Sequence, residues 1–405
     1  MQTDVAIVGA GLVGATAALA LARQGRSVVL IERQAPEQHP GRLGADARTV
    51  ALNPASRTLL ETVDIWPGLR VCPYQSMQVW EDTGTAVLQF DAADARVEAL
   101  GWITEVSPAA YQLWVACEDN PAVTLQAGSL TALESGVDGW HLQVGDDRIQ
   151  ARLLLAADGA ASAVRRLLDL DVQVFDTGQQ ALATVVQTEL PHGGCARQRF
   201  LYDGPLALLP LPEAQGRHLV SIVWSQSAEQ ATRRLAMSDG DFCAALTEAS
   251  EGCLGQILAV DQRAVFPLRQ QLATDFAPLP GVVLLGDAAH VLHPLAGQGV
   301  NLGFEDVQAM VSLLHGVPGS ELAEPALWRG YARRRRLRSR LLLRAMDAFR
   351  VGYAQRAPAL QWLRNAGVRG LGRLPPVKRS LIREALGLGP VAGVLGIRSQ
   401  TGHRT

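Results

Sequence analysis

The residues best suited to chemistry lie in one run, 286–306, which contains Gly286-Asp287, two histidines and the glycine-rich stretch 297–303. An apolar, strand-like segment, 281–285, precedes this run, and a helical pattern follows it. A strand that ends in Gly-Asp and continues through a Pro/Gly loop into a helix brings a carboxylate and free backbone N–H groups together. This combination fits a ligand that carries both hydroxyl groups and negative charge.

Within this run, Asp287 can accept hydrogen bonds from a polyol, and the backbone N–H groups of 299–301 can stabilise an anion that develops nearby. His290 and His293 invite an acid–base role. Histidines in a turn rich in alanine and leucine more often pack or cap, so we favour a structural role for both. The backbone is therefore expected to matter more than the two imidazoles.

A second motif, Gly-x-Gly-x-x-Gly, occupies positions 9–14 between a short apolar strand pattern and an alanine-rich helix pattern. A further strand pattern ends at Glu32 and completes a βαβ unit. In such a unit the glycines permit close approach of the backbone to a pyrophosphate, and the acid accepts hydrogen bonds from a ribose. Because an acid disfavours a 2′-phosphate, NADP is not expected in this pocket. A solvated side chain is the simpler interpretation of the neighbouring Arg33.

A third junction follows the apolar pattern 152–156 and consists of Asp158-Gly159, with Ser162 and Arg165 close behind. By itself this segment fits an ordinary turn with an N-capping serine equally well. Its position between the Gly-x-Gly-x-x-Gly motif and the later Gly-Asp favours a role in ligand binding.

A parallel sheet is needed to bring these three junctions to one edge, and the surrounding patterns predict one. Apolar strand patterns alternate with helical ones in three segments that we assign to one discontinuous, Rossmann-like domain, 1–70, 101–175 and 270–350. Short strand patterns dominate two segments that we assign to an inserted β-sheet domain for the substrate, 71–100 and 176–269. Residues 351–405 are predicted to be a helical C-terminal region. The expected fold class is α/β.

Composition excludes several classes of protein. The chain has 405 residues, 48% of them hydrophobic, and a net charge of −2, which suits a large buried core. Its apolar runs fall far short of the roughly 20 residues that a membrane helix needs, and no basic stretch precedes the first strand pattern, so no signal peptide is expected. The five cysteines are scattered without the spacing of a zinc site. We expect a cytoplasmic protein that contains no metal.

Positive charge is concentrated near the C-terminus, where the chain from Arg329 onward has eighteen Lys or Arg against two acids. Segment 331–350 mixes leucines with arginines, as would a helix that rests on anionic lipid or on a partner. For this segment we favour a helix packed on the Rossmann-like domain with a solvated basic face. The later stretch, to Arg383, is the better candidate for contact with a membrane or a complex. No nucleic acid partner is expected.

The three junctions in this order resemble those of the single-component aromatic hydroxylases that use FAD, of the para-hydroxybenzoate hydroxylase type. Several stretches narrow the resemblance to the ubiquinone-biosynthesis hydroxylase family, namely 46–52, 204–211, 286–306 and 363–367. The resemblance extends essentially from end to end. It implies an FAD-binding domain of the para-hydroxybenzoate hydroxylase type for the Rossmann-like segments.

The resemblance also implies a role for each motif. The first glycine motif with Glu32 would hold the ADP half of FAD, and Asp158-Gly159 would serve the pyrophosphate and the approach of NAD(P)H. Asp287 would bind the ribitol, and Arg48 would reach the flavin. Where relatives show an Ile-Val-Glu-Asn-like segment, this chain has Ile-Thr-Glu-Val at 103–106, so we transfer no contact to that segment.

Two sets of candidate residues follow. The cofactor set comprises Gly9, Gly11, Leu12, Val13, Gly14, Glu32, Arg33, Arg48, Gln112, Asp158, Gly159, Gly286, Asp287, Gly299, Val300 and Asn301. The catalytic set lines the flavin ring and the substrate without a certain acid or base, and it comprises Pro294, Gly297, Gln298 and Gly299.

The chain has one dinucleotide-binding motif, so NAD(P)H is expected to bind transiently at the flavin face. The resemblance implies hydride transfer to FAD, formation of a C4a-hydroperoxyflavin with O2, and hydroxylation of a polyprenylated phenol or quinol in ubiquinone biosynthesis. It also implies a cytoplasmic enzyme that is peripheral to the inner membrane, with contact to the membrane surface or to a ubiquinone-biosynthesis complex through the basic C-terminal region.

Three other functions remain open at this point. A flavin-dependent epoxidase or halogenase shares the same scaffold, although the Trp-x-Trp-x-Ile-Pro segment typical of halogenases does not occur. An FAD-dependent oxidase or dehydrogenase that inserts no oxygen has no excluding feature in the sequence. The third alternative is a non-catalytic, FAD-binding scaffold subunit.

Overall fold

A computed structural model gives the structure of residues 1–38, 40–82, 87–292, 299–354 and 383, with the backbone alone at 346–354. We number the strands β1–β19 and the helices α1–α9 along the chain.

The first sheet contains seven strands, β1 (Gln2–Val8), β2 (Val28–Glu32), β8 (Val123–Ala127), β9 (Leu130–Gly136), β10 (Gly139–Val144), β11 (Asp147–Ala156) and β18 (Val282–Leu284). Their order is β8-β2-β1-β11-β10-β9, with β18 also paired to β11. The pairs that involve β1, β2, β8, β11 and β18 are parallel, except that β11 pairs with β10 in the antiparallel direction. The end of β1 is buried on both faces, which explains its unbroken apolar run.

Helices cover both faces of the first sheet. One face packs against α1 (Leu12–Ala22), α2 (Pro54–Thr62), α4 (Val106–Glu118) and α8 (Gly299–Leu314). Helix α1 is buried from Gly14 to Leu21, because its alanines and glycine let it lie closely between the sheet and its neighbours. The long helix α9 (Pro325–Ala354) contributes Trp328 and Tyr331 to this core and Leu343 to the core on the opposite face.

The second sheet contains nine strands, β5 (Ser76–Glu81), β6 (Leu88–Asp91), β12 (Val172–Thr188), β13 (Cys195–Leu201), β14 (Gly204–Pro210), β15 (His218–Ser227), β16 (Ile257–Val260), β17 (Ala264–Ala273) and β19 (His290–Val291). The strand order is β19-β17-β12-β15-β14-β13-β5-β6, with β16 beside β12. One face packs on α7 (Asp239–Ala249), where Leu182, Ile222 and Trp224 surround Phe242. Two shorter helices complete this part of the chain, α3 (Ala92–Ala95) and α6 (Ala228–Ala236). The short helix α5 (Ala163–Leu167) follows β11 and packs on a core of the first sheet.

A third, small sheet joins the other two. It contains β3 (Thr49–Leu52), β4 (Val71–Tyr74) and β7 (Gly101–Glu105). Ala51 and Ile103 of this sheet pack against Val185 and Leu219 of the second sheet. A hydrogen bond of 2.7 Å between the hydroxyls of Thr49 and Ser221 adds a polar link at the same junction.

The predicted α/β class with a helical C-terminus is confirmed, since α9 continues to Ala354. The rest of the predicted C-terminal region, apart from Arg383, lies outside the described residues. The domain limits stay a proposal. Strand β4, at the start of the predicted substrate segment 71–100, pairs with β7 in the third sheet. In the part of the chain that the structure describes, no helix is both long and apolar enough to cross a membrane.

Candidate cofactor site

The three sequence junctions meet at the carboxyl edge of the first sheet. Val8 pairs with Ile31 and with Ala156, and Ala156 pairs with Leu284, so four neighbouring parallel strands end side by side. Each strand runs directly into a predicted site segment. A crevice at this edge is where doubly wound sheets bind dinucleotides.

The glycines of the first motif fall into two kinds. A Cβ on Gly9 would lie 2.4 Å from the Ala157 oxygen, and a Cβ on Gly14 would lie 1.9 Å from the Gly9 oxygen. Both positions therefore require glycine for packing, and Gly9 also has a φ of +101°. A Cβ on Gly11 would meet no described atom within 4 Å. Gly11 therefore borders open space at the start of α1.

The start of α1 has the features of an anion site. Gly11 is its N-cap residue and offers no side-chain acceptor to the first turn. The first intrahelical bond runs from the Ala15 N–H to the Gly11 oxygen, at 3.0 Å. The N–H groups of Leu12 and Val13, both in the candidate set, precede this bond, as the orphan donors of a helix start do. Such donors, reinforced by the helix dipole, suit a pyrophosphate.

The Glu32 carboxylate lies over the glycine turn. One of its oxygens accepts a 2.8 Å hydrogen bond from the Ala10 N–H, and the other accepts one of 2.8 Å from the Arg33 N–H. These bonds fix the carboxylate beside the first motif. The Arg33 side chain is exposed, in line with the simpler interpretation. The ribose contact of Glu32 stays a prediction.

Val13 connects the first motif to the Gly-Asp junction. Gly286 adopts a φ of +56°, and a Cβ on it would lie 3.2 Å from Val13 Cγ2. A Cβ on Gly303 of α8 would lie 2.6 Å from the same methyl group. The Val13 side chain thus fills a gap that two glycines leave. The side chain of Val13 is therefore used for packing. The backbone N–H of Val13, at the start of α1, is the group left for the predicted contact with the cofactor.

The Asp158-Gly159 junction forms the capped turn of one sequence interpretation, and its role in ligand binding stays a prediction. One Asp158 oxygen accepts hydrogen bonds from the Ala163 N–H at 2.6 Å and the Val164 N–H at 3.1 Å, and Ser162 caps α5. Asp158 is therefore a helix-capping residue. Its other oxygen, Oδ1, is buried and has no hydrogen-bond partner among the described residues. This oxygen can accept a hydrogen bond from a ligand.

The charges of Asp287 and Arg48 interact although the two residues lie far apart in sequence. Asp287 sits in a short 3-10 helix, Gly286–Ala288, and its side chain reaches solvent. The surrounding protein still desolvates the carboxyl and raises its pKa, while the charges of His290 and Arg48 act in the opposite direction. The Arg48 side chain is exposed at this point. A carboxylate and a guanidinium thus flank the predicted flavin end of the site.

The loop that carries Arg48 is anchored by two buried acids, which the sequence did not mark as site residues. Asp46 accepts a 2.9 Å hydrogen bond from the Arg48 N–H, and its second oxygen accepts from the Ser107 hydroxyl at 2.6 Å. The Asp46 N–H donates to Glu105 at 2.7 Å, and Glu105 pairs with Arg70 at 3.2 Å. Glu105 of the divergent segment 103–106 therefore supports this loop. These contacts join residues that are 59 and 61 positions apart, so no local spacing signalled them.

Asn301 is buried at the first turn of α8 and ties this turn to the loop before α2. Its side-chain oxygen accepts from the Asn53 N–H at 3.0 Å and the Ser56 hydroxyl at 2.7 Å, and its amide nitrogen donates to the Ala51 oxygen at 2.7 Å. The side chain is thereby committed to protein contacts, which leaves the backbone for a ligand. Gly299 has no described atom within 4 Å of a would-be Cβ.

The side chain of Gln112 is engaged by the protein, and several other predicted residues lie outside the part of the chain that the structure describes. Gln112 donates a 3.1 Å hydrogen bond to the Ile65 oxygen, so its amide supports the 65–68 turn. Its predicted FAD contact stays a prediction. Pro294, Gly297 and Gln298, together with His293, lie outside the described residues. Val300 is half-buried beside the first core.

A buried charge network lies directly behind the Gly286 turn. Asp306 accepts from the Gly286 N–H at 3.0 Å, from His290 Nε2 at 2.6 Å and from Arg335 Nε at 2.6 Å. Arg335 also donates to Glu305 at 3.1 Å. Burial alone would raise the pKa of Asp306, but His290 and Arg335 together lower it. Asp306 is thus a carboxylate that holds the turn.

His290 has the structural role that the sequence favoured. Its side chain is fully buried, its Nε2 faces Asp306, and its ring packs on Phe276 with centroids 5.6 Å apart. Because Asp306 is ionised, Nε2 is the donor of this bond. The sequence analysis missed Asp306 and Arg335. The sequence does not show which of the many arginines in α9 pairs with an acid of α8, because this pairing depends on how the two helices pack.

This donor set fits FAD. Gly11 and the start of α1 leave room for a pyrophosphate, Glu32 and Asp287 offer carboxylates for ribose and ribitol hydroxyls, and Asp158 Oδ1 is a buried acceptor in need of a donor. The separation of these groups along one sheet edge matches an extended dinucleotide rather than a small anion.

Comparisons with known proteins agree with this assignment. The sequence profile of the family described as FAD binding domain matches residues 2–346. The 3-demethoxyubiquinol 3-hydroxylase of Escherichia coli is 35% identical over 393 residues, which cover 95% of this chain and 99% of that protein. The ubiquinone hydroxylase UbiL of Rhodospirillum rubrum is 33% identical and covers 96% of this chain and 91% of its own length.

Solved structures show the same fold. The p-nitrophenol 4-monooxygenase PnpA from Pseudomonas putida superposes with a TM-score of 0.74 at 19% identity, covering 96% of this chain and 99% of its own. An HpxO variant from Klebsiella pneumoniae complexed with FAD gives a TM-score of 0.72 at 20% identity, covering 96% and 100%. The resemblance to the ubiquinone-biosynthesis hydroxylases and the prediction of FAD are confirmed. The chain belongs to this family of FAD-binding hydroxylases, and it is an FAD-dependent aromatic-ring monooxygenase.

Proposed function

We propose that this enzyme hydroxylates the aromatic ring of a polyprenylated phenol or quinol in ubiquinone biosynthesis, with NAD(P)H and O2 as co-substrates. The observation that carries the proposal is the end-to-end match, at 35% identity, to a relative named for hydroxylation of a demethoxyubiquinol. The candidate site supports it, because the residues that suit FAD lie at one edge of the first sheet.

The bound FAD supplies the chemistry of this reaction, namely the acceptance of a hydride and the activation of O2. The chain contributes binding and orientation. Glu32 and Asp287 offer carboxylates to hydroxyl groups at either end of the cofactor, and the start of α1 offers N–H groups between them. Because FAD would take the dinucleotide pocket formed by residues 9–32, NAD(P)H must reach the flavin from elsewhere and leave again.

The second sheet supplies an apolar wall for the aromatic ring. The register pairs Ala183 with Val223 and Val223 with Ala207, so these three side chains share the face opposite α7. Val185 and Leu219 lie on the same face and pack on the third sheet. The face is therefore turned toward the FAD-binding part of the chain, and its small side chains leave room for a planar ring. Exclusion of water by such a wall protects reactive intermediates.

Isotope labelling tests the reaction. Purified holoenzyme is supplied with NADH or NADPH, a short-chain polyprenyl phenol and 18O2, and the product is analysed by mass spectrometry. We expect oxidation of the nicotinamide that depends on the phenol, and one labelled oxygen on the ring. Nicotinamide oxidation without label would identify an oxidase or dehydrogenase. If neither NADH nor NADPH reduced the flavin in the presence of substrate, the protein would be a non-catalytic FAD-binding subunit.

Removal of the protein from its cell identifies the substrate within the pathway. We expect a polyprenylated ubiquinone precursor that lacks one ring hydroxyl to accumulate, and its mass gives both the prenyl length and the missing oxygen. Normal ubiquinone content with no precursor would contradict the proposed pathway.

We also propose that the enzyme works at the cytoplasmic surface of the inner membrane, because a polyprenylated substrate resides in lipid. In the sequence-based form of this proposal, the basic region 351–405 contacts the membrane or a ubiquinone-biosynthesis complex. Apart from the backbone to Ala354 and from Arg383, that region lies outside the described residues.

A further inference from the structure

Helix α9 has two faces of opposite character. Its buried face carries Trp328, Tyr331 and Leu343, which pack on the two cores of the first sheet. The polar residues Arg335 and Ser339 are buried on the same face. Its outer face carries six arginines that are exposed or half-buried, Arg329, Arg333, Arg334, Arg336, Arg340 and Arg344. Packing explains the first face and leaves the second without a structural reason.

Four of these arginines line a groove of about 400 Å³ between α9 and the 275–277 turn. They are Arg329, Arg333, Arg336 and Arg340, and the one acid in the lining is Asp275. Their spacing of three or four residues stacks like charges along one side of the helix, which destabilises an isolated helix. An anionic partner would remove the repulsion between these arginines.

The groove arginines have no hydrogen bond or ion pair with any other described residue, and Arg336 Nε is buried without a partner. The buried face of the same helix differs in this respect, since Arg335 pairs with Glu305 and Asp306 and Arg338 pairs with Glu305. Among the described residues, acids thus neutralise the inner arginines and do not neutralise those of the groove.

Two leucines lie among these arginines. Leu337 and Leu341 are each 46% exposed, and they are neighbours on the helix surface because they are four residues apart. Exposed leucines flanked by arginines form the pattern of a helix that lies in the plane of a membrane surface, with the apolar side chains at the acyl boundary and the cations at the phosphates.

The sequence beyond α9 has the same sign of charge as this surface. Residues 355–405 contain nine Lys or Arg and one acid, Glu384. This composition favours another molecule as the source of the anionic charge.

We propose that the outer face of α9, from Arg329 to Arg344, docks on a surface of anionic phospholipid. The groove arginines contact headgroup phosphates, and Leu337 and Leu341 enter the interface. This assignment rests on the proposed peripheral location and gives the solvated basic face of α9 a binding role. It places the contact on a described helix rather than on 351–405.

Vesicle flotation tests the assignment with the full-length holoenzyme. Vesicles of phosphatidylcholine are compared with an equimolar mixture of phosphatidylcholine and phosphatidylglycerol, at low and high salt. We expect binding to the anionic vesicles alone, and binding that weakens as salt screens the charges. Equal binding to both vesicle types, or to neither, would overturn the proposal, and binding to neither would favour a soluble acidic partner.

Variants locate the contact. Arg333, Arg336 and Arg340 are changed together to Gln, and a matched control changes Arg23, Arg148 and Arg233, which are exposed on other elements, to Gln. Each arginine near an anionic surface contributes about five-fold in affinity, so the groove variant should bind roughly 100-fold more weakly, and the control should bind like the parent. A Leu337→Ser, Leu341→Ser variant should bind more weakly with an unchanged salt dependence. Undiminished binding of the groove variant would contradict the assignment.

Activity on a short-chain, water-soluble substrate separates this proposal from the proposed reaction. The groove variant should retain its FAD and hydroxylate the soluble phenol at the parental rate, while its rate on substrate embedded in anionic vesicles falls. Loss of membrane binding with full soluble activity supports α9 as the docking face. A parent that binds anionic vesicles but hydroxylates no phenol would refute the reaction and leave the docking face standing.

Discussion

At the scale of single residues, glycines divide between packing and ligand approach. Gly9 and Gly14 lie against backbone atoms of the strand and turn beside them, whereas Gly11 faces open space at the start of α1. Sequence spacing identified all three as one motif, but it could not separate these roles, because the distinction depends on atoms of Ala157 that lie far away in the chain. The distinction has a direct consequence for mutation.

Gly11→Ala and Gly14→Ala should have different effects. The Gly11→Ala protein should fold with near-parental stability, because its new methyl group meets no described protein atom, and it should bind FAD at least about ten-fold more weakly, since the methyl group blocks backbone approach to the pyrophosphate. Gly14→Ala should fail to fold or lose several kcal/mol, roughly as overpacked cores do. Thermal melting of the FAD-free proteins and FAD titration by fluorescence measure both effects. Equal melting temperatures for the two variants would contradict the division.

Asp287→Ala should lose FAD. A hydrogen bond to a charged group contributes about 1.5–3 kcal/mol, which corresponds to a loss of affinity of roughly 10- to 150-fold. Asp287→Asn, which keeps the size of the side chain, should bind FAD with an affinity between those of Asp287→Ala and the parent. The ratio of flavin absorbance to protein absorbance after purification gives the occupancy. A fully yellow, active Asp287→Ala protein would refute the assignment of this residue.

At the scale of elements, α8 and α9 act together behind the site. Asp306 of α8 accepts a hydrogen bond from the Gly286 N–H, and Arg335 of α9 donates one to Asp306. The long helix α9 is therefore connected to the cofactor turn by two side chains. Periodicity predicted both helices, and it also predicted that α9 would pack on the FAD-binding domain. It could not predict which of the arginines in 333–338 face inward, because the phase of a helix face is set by its partner.

Arg335→Met should be strongly destabilising. The side chain is 2% exposed, and its removal leaves the buried Asp306 without an arginine partner and Glu305 with Arg338 alone. Breaking a buried ion pair typically costs about 3–5 kcal/mol. Arg333→Met is the matched control on the same helix, and because Arg333 is exposed it should change stability by less than about 0.5 kcal/mol. Urea unfolding of the FAD-free proteins gives both free energies. A small effect of Arg335→Met would show that the network is not a structural support.

The apolar face of the second sheet is the element expected to receive the ring. Ala207→Trp adds a large side chain on the face that Ala183 and Val223 share, so it should raise the KM for the phenol at least about ten-fold or abolish turnover, as a misplaced substrate does. FAD content and melting temperature should stay near parental values. Leu208→Trp, on the opposite face and within the α7 core, is the contrasting variant and should destabilise the protein instead. Unchanged kinetics for Ala207→Trp would show that the substrate does not bind against this face of the second sheet.

At the scale of the whole molecule, the site depends on segments that span most of the chain. Strand ends after Val8, Glu32, Ala156 and Leu284 meet at one edge because the first sheet is parallel, and this convergence was predictable from alternating strand and helix patterns. The third sheet was not predicted. Its strands β3, β4 and β7 are short, and their pairing joins residues that no local pattern connects.

Because the site spans the molecule, FAD should stabilise the whole fold. At a free FAD concentration of 100 times Kd, the free energy of unfolding should rise by about 2.7 kcal/mol. Asp287→Ala and Gly11→Ala should gain much less at that same concentration, because their affinities are lower. Thermal unfolding with increasing FAD, followed by circular dichroism of the backbone, measures this coupling. Two separate transitions are the contrary outcome, in which the helices of the first sheet melt at a higher temperature with FAD and the rest of the chain melts at its FAD-free temperature. That result would show that the junction of Ala51 and Ile103 with Val185 and Leu219 does not couple the sheets. A single transition that shifts with FAD would show that the sheets are coupled, through this junction and through the packing of Leu272 of β17 in a core of the first sheet.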